Sequence, residues 1–253
     1  MTQQVLTEAF RYPFEQEDWK TKLLVAYGLQ LFAWLLIPAV PLYGYLYRLA
    51  KDILETGQDR LPAWNDWEGD FRRGLRWWVF LLLLASPLLV AALTWVGMAL
   101  MAVFAAVAMP SDMQDVFSLP FLFLPFMNAV LAPLALLYGV ALLVFAPPAL
   151  LHITRHDRLS AALEVKDWWA IFRANWEGFV MASLVVLGLI VVLNYLSQTL
   201  FWLTCLFGVF LNAAIHLYVT LVAVYLFAHA YRQGLEKVTS AQEEPEPSAS
   251  AGS

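Results

Sequence analysis

The sequence has few charged residues and a single cysteine. Charged residues make up 14% of its 253 residues, whereas soluble proteins contain about 25%. Cys205 on its own excludes an intramolecular disulfide and a cluster of cysteine metal ligands. Glycine-rich phosphate loops, G-x-S-x-G and H-E-x-x-H motifs and a basic domain are also missing. These absences leave no catalytic residue, cofactor site or nucleic-acid surface to predict.

Apolar residues, by contrast, form 61% of the chain. No Lys or Arg occurs between Arg76 and Arg155, or between Arg173 and Arg232. These stretches are too long for buried core helices and are typical of membrane-spanning segments. Their apolar runs are continuous rather than alternating with polar residues, which indicates helices and not the strands of a barrel. We therefore predict an all-α fold, a polytopic transmembrane helical bundle.

The predicted bundle is a single domain over residues 23–239. A polar interfacial segment, residues 1–22, precedes it. The Ser/Glu/Pro/Ala-rich stretch 240–253 has the composition of a disordered tail. Proline breaks and polar loops divide the domain into about six membrane segments, arranged as three helical hairpins at about 23–56, 77–151 and 178–231.

Positive charges predict the topology. The 15 Lys and Arg residues fall into four clusters, around residues 11–22, 48–76, 155–173 and 232–237. The positive-inside rule places all four clusters in the cytoplasm, together with both termini. The first two clusters share a side only if the chain turns back at Pro38–Pro41. The arms of that hairpin are short, so a re-entrant hairpin is one interpretation, and a single kinked span, giving five spans, stays open.

An internal repeat supports the three hairpins. The pattern D-W-x-x-x-F-R occurs twice, and a weaker copy consists of Asp18 and Trp19. In the predicted short interfacial helix ahead of each hairpin, Asp caps the N-terminus, Trp lies at headgroup depth and Arg reaches phosphate. The simpler interpretation is a membrane anchor, and the functional one is a partner or lipid contact site. The two full copies are Asp66, Trp67, Phe71, Arg72 and Asp167, Trp168, Phe172, Arg173.

Several of these residues carry a family resemblance. The chain contains Ala9-Phe10-Arg11-Tyr12-Pro13-Phe14, then Gly44-Tyr45 with Arg48, then Leu61-Pro62-Ala63-Trp64-Asn65-Asp66-Trp67, and Phe71 with Gly74-Leu75. This series resembles a prokaryotic membrane protein family, the domain of unknown function 4013 (DUF4013). Asn65 replaces the acidic residue that family members usually have there. The resemblance implies a membrane protein of a bacterium or archaeon and supplies no activity.

Polar residues inside the predicted spans are few and uncharged. Asn212 and His216 lie four residues apart, on one helix face. Asn128 and Asn194 lie in two other spans. These four residues form a candidate intramembrane cluster, either lining a polar cavity or making interhelical hydrogen bonds, and we favour the hydrogen bonds. Because no charged residue lies deep in a span, coupled transport has little support.

The histidines His152 and His156 are also spaced at i and i+4, but no third ligand is evident, so we predict no metal site. The sequence favours a non-enzymatic accessory or scaffold protein of the cell membrane. Its expected partners are membrane lipids and either another membrane protein or a second copy of the chain. The alternatives are a small-solute transporter or channel and, third, a membrane enzyme led by His216 or the His152/His156 pair.

Overall fold

A computed structural model describes residues 3–108, 111–204 and 206–243. These residues contain helices and no strand, which confirms the predicted all-α class. The helices are α1 Gln3–Arg11, α2 Trp19–Leu31, α3 Ala39–Thr56, α4 Trp67–Ala108, α5 Ser111–His156, α6 Val165–Ala174, α7 Trp176–Thr204 and α8 Leu206–Glu243.

Four of the helices are long and apolar enough to cross a bilayer, and these stretches are Trp67–Met101, Ala129–His156, Trp176–Thr199 and Gly208–Glu243. They support the prediction of a membrane protein. Helices α2 and α3 are not among them, so the count of six segments stays a prediction. The described residues form two compact units, one within 1–80 and 144–243 and the other within 81–143.

The first unit is organised around α8. Tyr225, Leu226 and Tyr231 of this helix are fully buried, and α2, α3, α6 and α7 pack against it. The N-terminal segment joins this core, because the Tyr12 hydroxyl donates a hydrogen bond to the Leu221 carbonyl oxygen at 3.0 Å. The polar N-terminal residues are therefore part of the packed unit.

Helices α2 and α3 are two separate helices packed against each other. A 3₁₀ turn, Ala33–Leu35, follows α2, and Leu36 adopts a left-handed conformation with φ 67°. Pro38 occupies the N-cap position of α3 and Pro41 lies in its first turn, where no intrahelical donor is needed. The prolines thus begin a helix at the predicted turn.

Helices α3 and α4 approach each other at two glycines. A Cβ atom added to Gly44 would lie 1.7 Å from the Asp70 carbonyl oxygen, and one added to Gly74 would lie 1.8 Å from that of Val40. These distances allow no side chain, so the two backbones are in direct contact. Both glycines belong to the motifs that carry the family resemblance.

The second unit, residues 81–143, consists of parts of α4 and α5. Pro87 lies inside α4 without ending it. Proline cannot donate to the carbonyl four residues earlier, but the Ser86 hydroxyl donates to that Leu83 oxygen at 2.7 Å. Many large apolar side chains of this unit, Leu93 among them, are exposed, as expected of a surface that faces lipid.

Two details differ from the sequence-based expectation. Asp66 to Arg72 does not form a short helix of its own, because α4 begins at Trp67 and continues without a break into the apolar span. Asp66 therefore caps the N-terminus of a helix that continues into the apolar span. In addition, α8 extends to Glu243, and the rest of the predicted tail lies outside the described residues.

Candidate functional site

Polar side chains of the first unit gather where the charged ends of its helices meet. The Trp77 indole donates to the Thr154 hydroxyl at 3.1 Å, and the Asn175 amide donates to the Ala230 carbonyl oxygen at 2.8 Å. Arg232 reaches the Ile53 carbonyl oxygen at 3.5 Å. Contacts of this kind join all four clusters of positive charge, at residues 11–22, 48–76, 155–173 and 232–237. We call the polar side chains of these clusters, together with the residues that they contact, the polar layer.

Asp70 is the most buried charge in the described part of the polar layer. Its side chain is 0% exposed and accepts hydrogen bonds from Arg48 at 2.6 Å and from Arg73 at 3.2 Å. Arg48 also donates to the Ala63 carbonyl oxygen at 2.9 Å and to the side-chain oxygen of Asn65 at 3.3 Å. One guanidinium therefore fastens the loop before α4 to α3.

The same loop is held by stacked aromatic rings. Trp64 stacks on Tyr45, with ring centroids 4.2 Å apart, and on Trp67 at 5.1 Å. Its indole donates to the Lys22 carbonyl oxygen at 3.0 Å. Trp64 of the Leu61-Pro62-Ala63-Trp64 segment therefore connects α2, α3 and the beginning of α4 by packing.

Asp157 links α5 to α3 and α4. Its carboxylate accepts hydrogen bonds from Lys51, from the Tyr47 hydroxyl at 2.6 Å and from Arg76 at 3.4 Å. Burial raises the pKa of Asp157, but the hydrogen bonds from Lys51 and Tyr47 outweigh that effect and leave the pKa below its usual value. This carboxylate is therefore held in its charged form.

A cluster of histidines lies at the end of α5. The His152 ring is buried, with Nδ1 2.7 Å from the Tyr231 hydroxyl and Nε2 3.4 Å from Glu164 Oε2. The exposed His156 ring lies next to it, with ring centroids 4.4 Å apart. Arg158 binds the other oxygen of Glu164. Glu164 is a third candidate ligand that the sequence did not indicate, because its place beside the histidines depends on the chain turning back after α5.

A second polar group surrounds Asp59. The Asp59 carboxylate lies 2.9 Å from His229 Nε2 and accepts from the Tyr225 hydroxyl at 3.1 Å. Tyr225 also stacks on Tyr12, with ring centroids 4.6 Å apart. A polar groove of about 870 Å³ lies beside this group, lined by residues 12, 15–18, 22 and 59–61. The polar side chains of this group therefore pair with one another.

The first copy of the repeat is partly exposed. Asp66 accepts a hydrogen bond from the Gly69 backbone N–H at 3.0 Å, as an N-cap does. The Arg73 side chain and this N–H hold the pKa of Asp66 below its usual value. Trp67 and Phe71 are 48% and 45% exposed, and Arg72 pairs only with Glu68 among the described residues.

The second copy is packed differently. Asp167 lies in the first turn of α6, but Glu164 occupies the N-cap position. Phe172 is buried against Phe179, with ring centroids 5.3 Å apart. The Trp168 indole donates to the Ala162 carbonyl oxygen at 3.1 Å, and Arg173 lies on the exposed surface.

The weaker copy lies at the start of α2. Asp18 is at its N-cap position without a side-chain cap, and pairs with Lys22 at 3.0 Å. Trp19 lies edge-on against Phe14, with ring centroids 5.2 Å apart. The three copies therefore share a sequence pattern but differ in their surroundings.

Among the described side chains, no hydrogen bond links the members of the candidate intramembrane cluster to one another. Asn194 donates to the Ile190 carbonyl oxygen of its own helix at 2.9 Å. Asn212 is half-buried and His216 exposed on α8. The side chain of Asn128 lies outside the described residues. Whether these residues act together stays a prediction.

One family is similar to this chain in sequence. The model of the family described as Protein of unknown function (DUF4013) matches residues 29–202. No curated protein and no solved structure matches the chain significantly.

Proposed function

The chain belongs to this family, and from that premise we propose that it is a non-enzymatic integral membrane protein of a prokaryotic cell membrane. In this proposal it serves as an accessory or scaffold protein that acts through contacts at the cytoplasmic face. The proposal follows from how the polar layer uses its charges and from which side chains remain exposed beside it.

The observation that carries the proposal is the mutual pairing of charges. Asp70 is bound by two arginines, Asp157 by Lys51, Tyr47 and Arg76, and Glu164 by Arg158. A catalytic group needs access to a substrate, whereas these charges bind one another and connect helices. Such a network favours a rigid platform over an active site.

The proposed topology has four spans and one re-entrant hairpin, with both termini in the cytoplasm. Helix α2 has 13 residues, about 20 Å, which is shorter than the ~30 Å hydrocarbon core. The Tyr27 hydroxyl donates to the Phe210 carbonyl oxygen at 3.2 Å, so α2 runs along α8 away from the polar layer. At the tip of the hairpin Trp34 and Ile37 are 74% and 73% exposed, which suits contact with acyl chains.

The proposed lipid contact is a stripe on α4 formed by Trp67, Phe71 and Leu75. These residues are spaced at i, i+4 and i+8 and are all exposed, so they share one helix face. The Arg72 side chain beside them is 72% exposed and pairs with Glu68. An aromatic stripe next to an arginine, continuous with an apolar span, suits the headgroup boundary and an anionic phosphate. We therefore propose that this stripe binds anionic lipid.

The test compares wild type with a Trp67→Ala/Phe71→Ala variant after purification in mild detergent. Mass spectrometry identifies what remains bound. The matched control is Leu83→Ala/Leu93→Ala, which removes two exposed side chains farther along α4. We expect anionic phospholipid to be enriched on wild type and control and to be lost from the stripe variant.

Other outcomes of the same experiment decide between the remaining possibilities. A protein or a second copy of the chain, lost only from the stripe variant, would replace lipid as the occupant and keep the scaffold proposal. Wild type recovered alone, without an enriched lipid or protein, would contradict the proposal.

Transport has less support. The second unit contains a cavity of about 630 Å³ between α4 and α5. Its lining is mostly apolar, with Thr94, Trp95 and Tyr138 as the polar exceptions. The Tyr138 hydroxyl is already bound to the Leu84 carbonyl oxygen at 2.6 Å. An apolar cavity of this kind suits an acyl chain better than a polar solute.

A further inference from the structure

The cluster at the end of α5 has the composition of a transition-metal site. Two imidazoles and a carboxylate, from His152, His156 and Glu164, offer one ligand atom each, and these atoms lie within 4.8 Å of one another. We propose that they bind a divalent transition metal of the Zn²⁺ class, which fastens the segment after α5 to the end of the bundle. The proposal does not depend on the scaffold role.

The distance between His152 and Glu164 suits a shared metal ion. A tetrahedral Zn²⁺ with bonds of about 2.0–2.2 Å holds its ligand atoms roughly 3.4 Å apart. His152 Nε2 lies 3.4 Å from Glu164 Oε2, which is long for a hydrogen bond between such atoms. The two atoms are therefore separated as metal ligands are.

The surrounding groups hold two ligands in position. The Tyr231 hydroxyl lies 2.7 Å from Nδ1 of His152. When Nε2 binds metal, Nδ1 carries the proton and donates a hydrogen bond to the Tyr231 oxygen. Tyr231 is then the outer-shell partner that a metal-bound histidine usually has. Arg158 binds Oε1 of Glu164 and leaves Oε2 facing His152.

The third ligand and the access route come from the surface. His156 lies one helical turn after His152, so both rings are on the same face of α5. Because His156 is exposed and Glu164 half-buried, an ion can enter from that side. Three protein ligands leave a fourth position for water, and oxygen and imidazole ligands suit Zn²⁺ or Co²⁺.

Cobalt titration of the full chain tests the site directly. The protein is purified in mild detergent with a histidine-free tag, carries Cys205→Ala to remove its thiol, and is stripped with a chelator. We expect one Co²⁺ per chain, a visible d–d absorption band typical of low coordination number, and displacement of Co²⁺ by Zn²⁺. Absence of Co²⁺ binding would overturn the proposal.

Variants identify the ligands. His156→Ala and Glu164→Gln should each weaken Co²⁺ binding by at least about 100-fold, because loss of even an outer-shell partner costs about 10–100-fold. Tyr231→Phe should weaken it within that smaller range and keep the band. The matched control, His216→Ala, removes an exposed histidine of α8 and should change nothing.

Folding is checked separately from binding. His156 is exposed, so its substitution should preserve the helical circular dichroism of the apo protein. If His156→Ala nevertheless fails to fold, the Co²⁺ affinity of Glu164→Gln decides whether this cluster binds the metal. Equal Co²⁺ affinity and an equal band in the ligand variants and in His216→Ala would assign the metal to another site and overturn the proposal.

Discussion

At the scale of single residues, Asp70 makes the interaction with the largest expected effect on stability. Its buried carboxylate binds Arg48 and Arg73. Asp70→Asn keeps the shape but removes the counter-charge of Arg48 and leaves Arg73 with Asp66 alone. Breaking a buried pair costs about 3–5 kcal/mol, and since both arginines keep some contact with solvent we expect about 3 kcal/mol. Thermal and denaturant unfolding in detergent, followed by circular dichroism, measures this loss.

The control for that prediction is Asp66→Asn. Asp66 also binds Arg73, but half of its side chain is exposed, so solvent screens this pair and we expect a much smaller loss of stability. Asparagine retains the N-cap that Asp66 provides. A loss as large for Asp66→Asn as for Asp70→Asn would show that burial does not set the strength of these pairs.

Some residues of the polar layer could be identified as candidate site residues from the sequence, and others could not. Asp66 and Arg72 stand out because they repeat at equal spacing with Asp167 and Arg173. Asp157 and Glu164 belong to no pattern, and the Tyr47 partner of Asp157 is 110 positions away in the chain. Pairs of this kind depend on which helix ends meet, and one sequence alone does not contain that information.

At the scale of helices, the contact between α3 and α4 depends on Gly44 and Gly74. We expect Gly44→Ala and Gly74→Ala each to lower stability by about 1–3 kcal/mol, the usual cost of overpacking, because each new Cβ collides with backbone. Gly28→Ala is the matched control, since no atom lies within 4 Å of its added Cβ and alanine favours the helix by about 0.8–1.0 kcal/mol. The midpoint of thermal unfolding in detergent distinguishes them. Unchanged midpoints for Gly44→Ala and Gly74→Ala would contradict the close contact.

Helix positions followed from hydropathy more readily than helix ends did. The long apolar runs predicted the spanning stretches of α4, α5, α7 and α8. The helix that begins after Asp66 was predicted, but its continuation into the apolar span was not, because charged residues from Glu68 to Arg76 precede the apolar run. The turn at Pro38–Pro41 was predicted because proline interrupts a helix interior and because the clusters of positive charge on both sides require the chain to turn back.

At the scale of the whole molecule, the proposed topology predicts which positions an impermeant thiol reagent reaches from outside intact cells. Single cysteines replace Gln58, Leu159, Gln198 and Trp34 in a Cys205→Ala background. Gln198 lies 22 residues after the start of α7, about 33 Å along the helix, which matches the thickness of the hydrocarbon core. Only the Gln198 cysteine should react in intact cells, because the polar layer holds the loops with Gln58 and Leu159 on the cytoplasmic side, where they react after permeabilisation.

The Trp34 cysteine tests the re-entrant hairpin. If the tip ends within the bilayer, this thiol should stay unlabelled in intact and permeabilised cells and react only after denaturation, since the hydrophilic reagent does not enter hydrocarbon. Labelling from outside would make α2 and α3 two complete crossings. Labelling of the Gln58 or Leu159 cysteine in intact cells would reverse the orientation of the chain. That result would contradict the positive-inside assignment itself, because all four clusters of lysine and arginine would then lie outside.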